Sequence, residues 1–291
     1  MDTQDITGKT IICGVIGDPI GHTLSPVMHN AAFREMGIDG IYLPFRVTRE
    51  ALKEAIKGMR ALNLRGLNVT IPHKEAVIPL LDRLDPAAES IGAVNTIVND
   101  AGRLVGYNTD ADGFYQALLE SGTAPRDKNA VLLGAGGAAR AIGFILAREG
   151  AHLTLVNRSQ ERARELARWL KPVAGRPVKT LALNNIDLAA ALLGADLLVN
   201  ATSVGMAPHG EKTPVPAELL KTGLAVFDTV YRPRQTRLLR EAMVGGAAAT
   251  GGIEMLIWQG ALSFALWTGQ KAPLEMMRAA ALKAQEQEDE K

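Results

Sequence analysis

The strongest constraint on this chain is a glycine-dense turn. Residues Ala130, Val131, Leu132 and Leu133 form a short apolar run that stops at Gly134-Ala135-Gly136-Gly137-Ala138-Ala139, and a small-residue helix over 138–149 follows. The spacing Gly134-x-Gly136-x-x-Ala139 is the dinucleotide-binding fingerprint with alanine in its third small position. The three small positions serve a tight turn, close backbone approach to a pyrophosphate, and close packing of helix on strand. The phosphates would sit on the free N–H groups at the helix start, where the dipole also favours negative charge. After Gly150 a second buried strand, 152–156, completes the strand–helix–strand setting that the fingerprint requires. A tight turn in an α/β domain without cofactor is the alternative. The end of that second strand selects the cofactor. Where an NAD site carries Asp or Glu for the ribose hydroxyls, this chain has Asn157-Arg158-Ser159, with Arg162 one helical turn on. A guanidinium can grip a 2′-phosphate through paired, charge-assisted bonds, so the expected cofactor is NADP.

Composition narrows what surrounds this motif. The 291 residues suggest two domains, each able to bury its own core. With 32 basic residues against 31 acidic ones, nothing draws the chain to nucleic acid or to an anionic membrane. The single cysteine, Cys13, lies in an apolar run, can form no internal disulfide and supplies no thiolate zinc site, so no metal is expected. Residues 1–9 are polar with no apolar core for secretion, and no run approaches the ~18 apolar residues needed to span a bilayer. The expected compartment is the cytoplasm. The polar tail 285–291 is expected to fray.

Read in order, the chain gives strands at 10–16, 41–47 and 66–70, a hairpin over 93–99 and 104–107, and helices at 25–36, 49–62 and from Pro72 to near Leu84. Ser25-Pro26 reads as a cap followed by proline in the first turn. This alternation implies an α/β unit with a mostly parallel sheet. A helix opening at Thr109-Asp110-Ala111-Asp112 marks the domain crossing. Beyond the fingerprint, strands at 196–200, 225–230 and 247–250 end in small or polar loops (201–206, 229–231, 251–252) that should face the cofactor, as the carboxyl ends of a parallel sheet do. Helices at 253–267 and 273–284 are expected to pack back on the first unit.

A nicotinamide enzyme working on an alcohol without zinc needs a side chain to move the hydroxyl proton. Asn68-Val69-Thr70-Ile71-Pro72-His73-Lys74 gathers amide, hydroxyl, imidazole and amine at a strand end and expected helix start, where the dipole would lower the lysine pKa. Asp110 could pair with Lys74. The alternatives are a solvated Lys74 and a plain capping box at Thr109 to Asp112. His73 is the rival base, but adjacent helical side chains do not share a face, so His73 and Lys74 cannot both meet the substrate.

Nearly the whole chain resembles the shikimate dehydrogenase family, NADP-dependent enzymes that reduce 3-dehydroshikimate on the route to aromatic amino acids. The resemblance is carried by Gly17-Asp18-Pro19-Ile20 with Leu24-Ser25-Pro26; Asn68 to Lys74; Gly92-Ala93-Val94-Asn95-Thr96; Gly106 to Asp110; Gly134 to Ala139; Asn157-Arg158; Asn200 to Met206; Tyr231 with Pro233; and Met255-Leu256 with Gln259-Gly260. It implies a substrate-binding domain from residues 1–108 and 253–291, hinged around a cleft to a Rossmann-like NADP domain over 109–252. It implies Lys74 and Asp110 as the catalytic pair, with Lys74 transferring the proton. Substrate contacts would fall to Thr23, Ser25, Asn68, Thr70, Lys74, Asn95, Asp110, Tyr231 and Gln259. Cofactor contacts would come from Gly134, Ala135, Gly136, Gly137, Ala138, Asn157, Arg158, Ser159, Arg162, Thr202, Thr229 and Gly252. Ser25 could equally be a helix cap, and Gln259 a polar stop on an apolar helix. One departure stands out: the family usually has Ser-x-Ser where this chain has Thr23-x-Ser25. The extra methyl crowds the carboxylate pocket, and family members that use quinate vary here. A quinate/shikimate dehydrogenase and a non-catalytic NADP-binding sensor are the competing readings. The expected partner is a small-molecule substrate, with a monomer or homodimer as working unit.

Overall fold

A computed structural model describes residues 6–289. The chain divides into two compact units, one running up to Thr109 and resuming at Leu256, the other covering Asp110–Met255. The first unit opens with β1 (Ile11–Gly17), α1 (Ser25–Glu35), β2 (Gly40–Arg46), α2 (Leu52–Ala61) and β3 (Gly66–Val69). It continues through β4 (Arg83–Leu84), α3 (Pro86–Ile91), β5 (Thr96–Asp100) and β6 (Arg103–Tyr107). Its sheet has the order β2-β1-β3-β5-β6-β4. β1 pairs in parallel with β2 and β3, β4 pairs in parallel with β6, and the β3–β5 and β5–β6 pairings are antiparallel. The apolar strands close against the amphipathic α2: Ile16, Leu67, Val69 and Ile97 pack with Leu52, Ile56 and Met59. Burying each such side chain stabilises by about 1.5–3 kcal/mol.

The α-helix expected from Pro72 to near Leu84 does not form. A single helical turn, Val77 N–H to His73 C=O, leads to a 3-10 turn at Ile78–Leu80, and the chain then pairs as β4. Pro79 explains the stop, because it lacks an N–H and its ring clashes with the carbonyl four residues back. The Asp82 amide instead donates to the Leu104 carbonyl at 3.0 Å. The strand expected to begin at 93 begins at Thr96, just after the turn that closes α3 at Gly92.

The second unit runs α4 (Asp110–Glu120), β7 (Asn129–Leu133), α5 (Gly137–Arg148), β8 (His152–Asn157), α6 (Gln160–Ala174), β9 (Lys179–Ala182), α7 (Asn185–Leu192), β10 (Leu197–Asn200), β11 (Ala225–Asp228), α8 (Arg237–Val244) and β12 (Ala248–Gly251). Every pairing in its sheet is parallel, in the order β12-β11-β10-β7-β8-β9. That is the doubly wound order, with its reversal between β7 and β10. Leu133, Asn200 and Asp228 sit side by side in register, so the loops after β7, β10 and β11 leave from one edge.

Helix α9 (Gly252–Thr268) and helix α10 (Leu274–Asp289) complete the chain. α10 packs along α1. The buried Trp267 indole lies on Gly66, where a Cβ would stand 1.9 Å from Nε1, and that nitrogen donates to the Ile97 carbonyl at 3.0 Å. Fraying from residue 285 is not found: α10 continues to Asp289 with Gln285 buried. Residues 1–5 and 290–291, which belong to the polar N-terminus and tail noted above, lie outside the described residues. Among the described residues no helix is long and apolar enough to cross a membrane.

Candidate active site

In the first unit the sequence-selected amides converge on one buried network. Asn68 lies on β3, Asn95 just before β5 and Gln259 on α9; all three are buried. The Asn68 amide nitrogen donates to the Asn95 carbonyl at 3.1 Å, to Thr96 Oγ1 at 3.0 Å and to Ser263 Oγ at 3.0 Å. Its oxygen accepts from the Tyr42 hydroxyl at 2.7 Å. Asn95 donates through Nδ2 to Thr109 Oγ1 at 2.9 Å and to Gln259 Oε1 at 3.3 Å, while its Oδ1 accepts the Thr109 amide at 2.7 Å. Gln259 Nε2 donates to the Leu256 carbonyl at 2.8 Å. Gln259 is therefore tied into the network and is no simple polar stop. Satisfied networks of this kind fix each amide's orientation, so the direction in which every donor and acceptor points is set before any ligand arrives.

Tyr42, Thr96 and Ser263 belong to this network; Thr96 appeared only as the end of the motif Gly92 to Thr96, and Tyr42 and Ser263 were not singled out in the sequence. Their only signal is a polar atom inside an apolar segment. Burial pushes the Tyr42 phenol well above its usual range, while a hydrogen bond with Ser25 pulls the other way. Ser25 itself sits inside α1 behind an N-cap at Leu24, and no side chain caps that helix, so the capping role expected of Ser25 is not found. Pro26 occupies the next position, still within the first turn where its missing N–H costs nothing. The Ser25 hydroxyl lies 3.2 Å from Thr23 Oγ1, which brings the Thr23-x-Ser25 pair together.

Lys74 is half-buried, and its carbonyl accepts the Val94 amide at 2.8 Å, which fixes its main chain beside Asn95. With no α-helix over 72–84, no helix start stands at Lys74, and the dipole argument made for it falls away. His73 is fully buried, and its Nε2 lies 2.7 Å from the Val47 carbonyl, so it points into the core and is removed as rival base. Thr70 is half-buried, with its amide on the Ile16 carbonyl at 3.0 Å. Asp110 is the buried first residue of α4. The Thr109 hydroxyl also bonds Asn95 and Ser263, so this residue does more than open α4. Cys13 is buried, and burial pushes its thiol up to about 12, leaving an inert side chain.

In the second unit the residues expected to hold a cofactor line the carboxyl edge of the parallel sheet. Gly134 turns at φ +111°, and a Cβ there would stand 3.0 Å from the Ala201 carbonyl oxygen. Gly136 is exposed, and a Cβ on it would meet nothing within 4 Å, so open space lies over the turn. Helices α6, α7 and α8 are N-capped by Ser159, Asn184 and Thr236, whereas α5 has no side-chain cap and no acidic residue in its first turn. Its first N–H groups are thus left for an anion, and these residues fit a dinucleotide pyrophosphate. Ala138 is half-buried beside this turn and Ala139 is fully buried against the sheet. Asn157 ends β8 and donates to the Ser159 carbonyl at 2.8 Å; Arg158 and Arg162 are exposed just beyond it. No Asp or Glu stands between Asn157 and Gln160. Thr202 and Thr229 follow β10 and β11, Tyr231 is half-buried two residues on, and Gly252 starts α9, where a Cβ would stand 2.3 Å from the Thr229 carbonyl.

One further side chain here was missed in the sequence. Asp228 ends β11 fully buried, and burial pushes its carboxyl up to about 6 against the pull of its three hydrogen bonds.

The chain is similar to known proteins along most of its length. The family model for a shikimate dehydrogenase substrate binding domain matches residues 15–97, that for shikimate / quinate 5-dehydrogenase matches 118–209, and that for a shikimate 5′-dehydrogenase C-terminal domain matches 252–282. A shikimate dehydrogenase (NADP(+)) of Methanopyrus kandleri is 49% identical over 280 residues, 95% of this chain and 97% of that one. A crystal structure of a shikimate dehydrogenase in complex with NADP+ superposes with a TM-score of 0.91 at 41% identity, covering 97% of this chain and 98% of that one. The enzyme from Thermus thermophilus, in complex with NADP(H) and shikimate, gives 0.86 at 41% identity over 94% of this chain and 100% of its own.

Proposed function

The chain belongs to the shikimate dehydrogenase family, and on that premise we propose that it reduces 3-dehydroshikimate to shikimate reversibly, with NADPH as cofactor, Lys74 moving the proton and Asp110 as the second member of the catalytic pair. Bound NADPH supplies the hydride. Lys74 gives its proton to the substrate carbonyl oxygen in the reduction and takes it back from the hydroxyl in the oxidation. Asn68, Asn95 and Gln259 present oriented amides to ring hydroxyls; Thr23, Ser25, Thr70 and Tyr231 supply hydroxyls to carboxylate and ring. Gly134, Ala135, Gly136, Gly137 and Ala138 cradle the pyrophosphate at the uncapped start of α5. Asn157, Arg158, Ser159 and Arg162 hold the 2′-phosphate, while Thr202, Thr229 and Gly252 line the nicotinamide end. Residues up to Thr109 with those from Leu256 form the substrate-binding unit, and Asp110–Met255 the NADP-binding unit. A cytoplasmic location and a monomer or homodimer complete the reading.

The observation that carries it is the buried network joining Asn68, Asn95, Thr109 and Gln259 beside the anchored main chain of Lys74. Neutral amides and hydroxyls held in fixed directions suit a polyhydroxylated ring better than an apolar or multiply charged substrate. Thr23 favours one second reading, relaxed specificity that includes quinate, because its methyl reshapes the carboxylate end. One assay series decides both. NADPH oxidation should be rapid with 3-dehydroshikimate and much slower with NADH, and NADP-linked oxidation of shikimate should outpace that of quinate. Equal rates with shikimate and quinate support the second reading; no turnover on either, beside tight NADP binding, supports a non-catalytic sensor.

A further inference from the structure

Asp228 accepts on both carboxylate oxygens at once. Oδ1 takes Asn200 Nδ2 at 2.9 Å and the Val230 amide at 3.0 Å, and Oδ2 takes the Thr236 hydroxyl at 2.6 Å. These donors come from β10, from the loop after β11 and from the N-cap of α8, and no cation is among them. Each donor carries the constraint further. Asn200, its amide nitrogen held by the carboxylate, turns Oδ1 to Thr202 and accepts both its amide at 3.1 Å and its hydroxyl at 2.6 Å. Thr236 Oγ1 accepts the Leu239 amide at 3.3 Å. Val230 lies between Thr229 and Tyr231, and Gly252 packs on the Asp228–Thr229 main chain, where a Cβ would stand 3.0 Å from the Asp228 carbonyl oxygen. A buried carboxylate without a cation costs stability, so its presence asks for a reason beyond packing. Geometry supplies one: the charge strengthens all three bonds at once, and an amide in its place would be neutral and would have to reverse the bond to Thr236.

We propose that Asp228 is a positioning residue of the NADP site: its carboxylate clamps the loop after β10 to the loop after β11 and so holds Thr202, Thr229 and Tyr231 in fixed relation at the rim of the sheet. This rests on the assignment of Thr202 and Thr229 to the cofactor. Asp228 touches neither cofactor nor substrate and acts through the two loops. A purely structural role would lower thermal stability and the amount of active enzyme while leaving KM unchanged in the folded fraction. A positioning role moves KM.

The test is steady-state kinetics on full-length Asp228→Asn, with melting temperature measured alongside. KM for NADPH should rise about tenfold, the effect of one lost charge-assisted hydrogen bond. Unchanged KM with only lower stability or a smaller active fraction overturns the proposal. Thr236→Val, which removes the donation to Oδ2 together with the cap on the Leu239 amide, should raise KM in the same direction, and Thr236→Ser, which keeps both bonds, should restore it; this pair reports even if Asp228→Asn does not fold. Equal KM in the two Thr236 variants overturns the proposal as well. Thr202→Val tests the cofactor assignment separately. Raised KM there beside normal KM in Asp228→Asn overturns the clamp alone, whereas normal KM in Thr202→Val removes Thr202 from the cofactor site and the clamp with it.

Discussion

Replacing His29 by phenylalanine should isolate one proton in the acid limb of stability. His29 is fully buried on α1; its ring stacks on Tyr42 with centroids 4.3 Å apart, lies 5.3 Å from Trp267, and finds no hydrogen-bond partner for either nitrogen. Burial holds the ring neutral, pushing its pKa down from 6.5 to about 3. The unfolded chain takes up that proton at the ordinary value. Between those two pH values the unfolded state therefore binds more protons, and stability falls as pH falls. A full proton difference is worth about 1.4 kcal/mol per pH unit, so the loss between pH 7 and pH 5 is about 2 kcal/mol. Asp228 works in the opposite sense: its folded value of about 6 lies above the ordinary 3.8, so the stability it adds is complete below 3.8 and is lost as pH rises through about 6. The two slopes offset each other in the natural protein, but the difference between His29→Phe and the natural chain cancels Asp228. Urea unfolding followed by tryptophan fluorescence at both pH values measures that difference. It should shift in favour of the variant by about 2 kcal/mol on going to pH 5. A difference that stays constant with pH would refute a neutral, buried His29.

Two other substitutions test separate parts of the account. Arg158→Gln should cut the preference for NADPH over NADH by about 10- to 100-fold, the worth of a charge-assisted bond to phosphate, read from kcat/KM with each cofactor; an unchanged ratio removes Arg158 from the 2′-phosphate site. Gly66→Ala sets a methyl 1.9 Å from Trp267 Nε1, so the indole must move and release the Ile97 carbonyl. Overpacking plus the lost bond should cost about 3 kcal/mol in thermal or urea unfolding, and a normal midpoint would contradict the packing described.

What could be read from the sequence follows how local each signal is. The fingerprint turn, its flanking strands and the arginine at the end of β8 are short-range features, each written in a few consecutive residues, and the doubly wound unit was legible from them. Helices α7 and α8, eight residues each, were not, because segments this short carry too few turns to show a period, and β9, Lys179–Ala182, was not, because it lacks the apolar run that marks the equally short β10 and β11. The helix expected after Pro72 failed at Pro79, where apolar spacing suggested continuation and backbone chemistry forbade it. In the site, Asn68 stood out within the polar cluster that runs to Lys74, while Asn95 and Gln259 were legible only through the resemblance to the family. Tyr42 and Ser263 did not stand out, since they meet Asn68 across 26 and 195 positions of chain. Asp228 escaped for the same reason: a lone carboxylate after Val226-Phe227 acquires meaning only when β10 and α8 are beside it.

The most direct test of the chemistry is turnover of Lys74→Ala with saturating 3-dehydroshikimate and NADPH. Loss of the proton-transferring amine should lower kcat by about 10²- to 10⁴-fold while NADPH still binds. A variant that turns over at close to the natural rate would contradict the assignment of the proton to Lys74.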